Sequence, residues 1–73
     1  MAEDTRSGTR KARLASGITV ERAAAIIGRS GPTYVEREAD PEKFTVGEFF
    51  RLYREVDPDM RPIMMGDLEA LMG

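Results

Sequence analysis

At 73 residues the chain has room for one domain, and a domain this short buries only about 60% of its unfolded surface, so its core is thin. It has no cysteine and no histidine, which excludes a disulfide framework and the usual zinc ligand sets and leaves helix packing, capping or a partner subunit to stabilise it. A hydrophobic share of 41% and a charged share of 33% fit a soluble globular domain, while the net charge of −2 argues against very tight nonspecific binding to a polyanion.

That charge is unevenly spread. Residues 1–34 hold six basic side chains (Arg6, Arg10, Lys11, Arg13, Arg22, Arg29) against three acidic ones, whereas residues 44–73 hold three arginines against six carboxylates. Such a distribution is compatible with one basic face. The longest apolar run, Ala23 to Ile27, is far too short to span a bilayer. Met1-Ala2-Glu3-Asp4 has no apolar stretch behind it and does not read as a secretory leader, so a cytoplasmic location is expected.

Residues 1–8 are polar and are expected to form a flexible N-terminus. A first helix is predicted from about Thr9 or a little earlier to Ser16, with Gly17 in position for a left-handed cap. The second opens at Thr19 as N-cap, with Glu21 in its first turn, places Ala23, Ala24 and Ile27 on a narrow apolar face, and ends at Gly28. The third starts at Ser30 as N-cap, admits Gly31 and Pro32 in its first turn, and stops before Pro41. Thr45-Val46-Gly47-Glu48 is a capping box, with Phe44 and Phe49 placed as a hydrophobic staple. In the helix it opens, Val46, Phe49, Phe50, Tyr53 and Val56 recur at helical spacing, and Phe44, Phe49, Phe50 and Tyr53 are assigned to core or staple. A fifth helix is expected to begin with Asp59 as cap and Pro62 in its first turn. Its stripe of Met64 or Met65, Leu68, Leu71 and Met72 either completes the core or pairs with a second copy, so Met65, Leu68, Leu71 and Met72 are the candidate dimer residues. The expected organisation is a flexible segment over 1–8, a helical domain over 9–57 and a C-terminal helix within 58–73, all-α throughout.

The informative stretch is SGITVERAAAIIGRSGPTYVERE, residues 16–38. Two helices of about eight residues flank Gly28-Arg29-Ser30, and Ala24 stands one turn before Gly28. A close crossing of the helices requires a small residue at that position, and the tight turn favours a glycine with positive φ. These features, with the basic first helix ending Arg13-Leu14-Ala15-Ser16-Gly17, then Ile18-Thr19, Ser30, Glu38 and the capped helix from Thr45, run from Arg10 to Val56. Over that span the chain resembles the lambda repressor and Cro family of helix-turn-helix proteins, often called the Xre family. The resemblance implies a compact four- to five-helix domain that binds double-stranded DNA as a homodimer and acts as a small transcriptional repressor of phage or mobile-element type. It departs from the family in having Arg29 where an aliphatic residue is usual, and Gly31 and Pro32 where polar base-reading side chains often stand.

With Tyr34 and Glu38 facing inward, helical geometry turns Pro32, Val35 and Glu36 outward and leaves Thr33 and Arg37 on the flanks. Ser30, Pro32, Thr33, Val35 and Glu36 are therefore the candidate base contacts: apolar groups for thymine methyls, Glu36 for a cytosine amino group. Lys11, Arg13, Thr19, Arg29 and Arg37 are the candidate phosphate contacts, together with the backbone N–H groups that open the third helix. With few polar readers, DNA shape and dimer spacing are expected to share the discrimination. The alternative is a helical protein–protein module, such as an antitoxin or phage accessory factor, favoured by the acidic composition. No catalytic arrangement, phosphate loop or calcium loop is visible, so neither an enzyme, a cofactor, a metal nor a small-molecule substrate is expected. Asp57, Asp59, Asp67 and Glu69 read as helix caps and surface charge.

Overall fold

The computed structural model describes residues 8–72, with side chains through Glu69. In chain order these residues form α1 (Gly8–Ala15), α2 (Val20–Ile27), α3 (Gly31–Ala39), a single 3-10 turn (Pro41–Lys43), α4 (Val46–Glu55), a second 3-10 turn (Pro58–Met60) and α5 (Arg61–Met72). No strand occurs among them, so the all-α expectation holds. The flexible segment assigned to 1–8 lies outside the described residues except for Gly8, which is buried and opens α1.

Capping chemistry sets the helix limits. The hydroxyl of Thr19 accepts the Arg22 N–H, that of Ser30 the Thr33 N–H, and that of Thr45 the Glu48 N–H. The Glu48 carboxylate returns the bond to the Thr45 N–H, which completes the capping box. Phe44 and Phe49 meet edge to face with ring centroids 6.2 Å apart, as a staple should. The first two helices end alike. The N–H of Ile18 reaches back to the Arg13 carbonyl at 3.1 Å, and that of Arg29 to the Ala24 carbonyl at 2.9 Å. In each ending a glycine adopts the left-handed region, Gly17 at φ +72° and Gly28 at φ +77°, where a β-carbon would be strained.

The core gathers one face from each helix: Ala12, Ala23, Ala24, Ile27, Tyr34, Phe49, Leu52, Val56 and Met64. Burial of each of the larger side chains stabilises the fold by about 1.5–3 kcal/mol. Helix α1 packs against α5, and α2 against both α3 and α4. The buried face of α4 is centred on Phe49, Leu52 and Val56, so the sequence-predicted stripe is rotated. Val46, 70% exposed, lies in the first turn beyond the packed part, and Phe50, 37% exposed, lies at the edge of that face, its ring edge to face with those of Phe49 at 5.4 Å and Tyr53 at 5.5 Å.

The C-terminal helix completes the core. Met64 is fully buried, while Met65 and Leu68 are half-buried against the cluster. The side chains of Leu71 and Met72 lie outside the described residues. Two expectations about carboxylates need correction here. Asp57, not Asp59, accepts the N–H that opens the second 3-10 turn. Asp67 is no surface charge: it is fully buried and accepts from the Gly8 N–H at 3.1 Å, the Thr9 N–H at 2.9 Å and the Thr9 hydroxyl at 2.5 Å. It therefore caps α1 from α5, with the negative charge at the positive end of the α1 dipole. The two helices touch at Gly8, where a β-carbon would collide with the Ile63 carbonyl oxygen.

Candidate nucleic-acid interface

Helices α2 and α3 are joined by Gly28, Arg29 and Ser30 alone. Ala24 is buried one turn before Gly28, so α2 presents no bulky side chain at that level. Two ionic clusters then set the roll of α3 about its axis. On its α1 side, Glu38 accepts from Arg13 Nε at 2.7 Å and from the Tyr34 hydroxyl at 2.7 Å, with Arg10 Nε 3.9 Å away. Arg13 also donates to the Ile18 carbonyl at 2.9 Å, tying the end of α1 to the loop before α2. The hydrogen bond to Glu38 holds the Arg13 guanidinium above its ordinary pKa, and burial followed by the bond to Glu38 pushes the Tyr34 phenol far above its own.

On its α4 side, Glu48 takes Arg29 Nε at 2.7 Å and Arg37 Nε at 3.1 Å. Burial pushes this carboxyl up, but the Thr45 N–H and the two guanidiniums outweigh it and keep it below the usual carboxylate range. One buried glutamate thus grips both the turn and the C-terminal half of α3.

With its inner face fixed in this way, α3 turns Pro32, Val35, Glu36 and Ala39 to solvent, Val35 with 51% of its surface exposed. Thr33 and Arg37 are half-buried flanks. Ser30 is exposed, yet its hydroxyl is committed to the cap and donates to Thr33 Oγ1 at 3.0 Å. The backbone donors expected to open α3 toward an anion are also mostly used. Pro32 has no N–H, and those of Thr33 and Tyr34 bond to Ser30.

Two phosphate-contact assignments do not survive. Arg13 is 5% exposed and is consumed by Glu38 and Ile18. Arg37 is 17% exposed at its side chain and is paired with Glu48. Lys11, Thr19 and Arg29 remain on the surface, although Arg29 is anchored to Glu48. Five exposed cations lie outside the sequence-based candidates: Arg10, Arg22, Lys43, Arg51 and Arg54. Arg22 shares with Thr19 and Glu55 an open groove of about 530 Å³ at the start of α2. Arg51 approaches Gly28 and borders, with Arg29, Thr45 and Gly47, a smaller groove of about 260 Å³ between the turn and α4. Arg51 lies three residues after Glu48, and that spacing was the available signal that it stands on the α4 side of the turn.

No helix among the described residues is long and apolar enough to cross a membrane, and no group of three metal-ligating side chains occurs among them. Comparison with family models, curated proteins and solved structures finds no match.

Proposed function

We propose that this chain binds double-stranded DNA by laying the outward face of α3 in the major groove, and that it acts as a small transcriptional repressor by occupying its site. The observation that supports this best is the contrast between the two faces of α3. The inner face is locked to α1 and α4 by Arg13–Glu38 and Arg37–Glu48, whereas Pro32, Val35 and Glu36 stand exposed just beyond a three-residue turn. A rigidly held, projecting helix suits a groove about 12 Å wide. Arg10, Lys11, Arg22, Arg29 and Arg51 are exposed on the neighbouring elements and supply the phosphate contacts. In a two-fold dimer the two copies of α3 would stand about 34 Å apart, one turn of the duplex.

The rival reading is a protein-binding module. It is favoured by the absence of any exposed cation on α3 itself and by the exposed pair Val46 and Phe50 on α4. Selection from a random duplex pool, followed by anisotropy titrations at several salt concentrations, separates the two. A DNA-binding protein enriches a defined site and loses affinity steeply with salt, with a slope of about −0.9 per phosphate neutralised. A protein-binding module enriches nothing.

A further inference from the structure

The outer face of α3 has an unusual make-up for a surface that meets a polyanion. Pro32, Val35 and Glu36 are spaced i, i+3 and i+4, so their side chains adjoin on one patch, and all three are exposed. That patch has no cation. Arg37, the one basic residue of α3, is turned to Glu48. Glu38 is likewise consumed by Arg13 and Tyr34. No hydrogen bond or ion pair ties the Glu36 carboxylate to another side chain among the described residues.

A free carboxylate beside two apolar groups selects for a hydrogen-bond donor beside an apolar group. In the major groove it repels the O6 and N7 of guanine and the O4 of thymine, which are acceptors, and it is matched by an amino group: N4 of cytosine, or N6 of adenine, which carries the acceptor N7 beside it. Unmodified cytosine offers the amino group but nothing apolar, and thymine offers the methyl but an acceptor beside it. One base edge supplies both on adjacent ring atoms: cytosine methylated at C5. We propose that the patch of Pro32, Val35 and Glu36 reads 5-methylcytosine in duplex DNA, with Glu36 accepting from N4 and the two apolar side chains covering the C5 methyl. This rests on the duplex-binding reading above.

The same two groups also arise when a thymine methyl lies near the amino group of an ordinary cytosine or of an adenine, and the experiment separates these sources. Two random duplex pools, one prepared with cytosine and one with 5-methylcytosine, are selected in parallel. Enriched duplexes are then remade with cytosine, 5-methylcytosine or thymine at each position, and with uracil for each thymine. The expected result is that one cytosine position binds about fourfold tighter when methylated, the worth of one buried methyl group. Val35→Ala, on the exposed face and so neutral for folding, removes that gain but keeps the cytosine preference. Glu36→Gln loses the cytosine preference about tenfold or more and moves it toward adenine. Tight duplex binding that is indifferent to methylation overturns this inference and leaves the DNA-binding reading standing. A fourfold loss on replacing a neighbouring thymine by uracil, with no effect of methylcytosine, overturns it in favour of the two-base source. No enrichment from either pool overturns both readings.

Discussion

Arg13 and Glu38, 25 residues apart, meet as a 2.7 Å ion pair whose side chains are only 6% and 12% exposed. Glu38 Oε2 also accepts the Tyr34 hydroxyl, so one carboxylate fastens α1 to α3. Removing one partner strands the other charge in a poorly solvated site. Arg13→Met should cost about 3–5 kcal/mol, which is most of the stability of a domain this small. Urea denaturation followed by circular dichroism checks it, and the double variant with Glu38→Gln should regain part of the loss. A surface arginine that served only a phosphate would leave the denaturation midpoint unchanged.

Glycine substitutions should separate by mechanism. Gly28→Ala forces a β-carbon into the left-handed region and should cost about 1–2 kcal/mol, although only Arg51 lies near the added atom. Gly8→Ala drives a β-carbon into the Ile63 carbonyl and should pry α1 from α5, with faster amide exchange at both helix starts. Gly47→Ala, within α4 and with open space around it, should instead stabilise by about 0.5–1 kcal/mol. Thermal midpoints of the three variants give the comparison.

The long-range cap predicts a dependence of α1 on α5. Asp67→Asn replaces one acceptor oxygen by an amide that faces the Gly8 and Thr9 donors, and should cost about 1–3 kcal/mol. Hydrogen exchange should show the first turn of α1 opening ahead of global unfolding.

The pH dependence has a defined sign. Because the folded pKa of Glu48 lies below its unfolded value, its contribution is fully present above the ordinary glutamate value of about 4.3. It is lost as pH falls through the lower folded value. Glu48→Gln should weaken the protein near neutral pH and flatten the acid limb of its stability profile, as read by denaturation midpoints across pH 2–7.

Most of the helix limits were legible because local chemistry sets them. Thr19, Ser30 and Thr45 act on donors three residues away, and Gly17 and Gly28 on carbonyls just behind them. The outward setting of Pro32, Val35 and Glu36 followed from placing Tyr34 inside. What escaped the sequence was tertiary. Arg13 reads as one more basic residue on a basic helix until Glu38 is brought against it, and Asp67 reads as surface charge until α5 crosses the start of α1. The face of α4 was misjudged at Val46 and Phe50 because apolar spacing marks a helical stripe without marking which part of it the neighbours cover.

The claim that a duplex is received by α3 is tested most directly by 15N-labelled protein titrated with the selected duplex and followed by heteronuclear NMR. Backbone amides of Gly31, Thr33, Val35 and Glu36 should shift most, with smaller shifts in α1 and the first turn of α2, while the centre of α5 stays still. Perturbations confined to Val46, Phe50 and their α4 neighbours, with α3 silent, would contradict it.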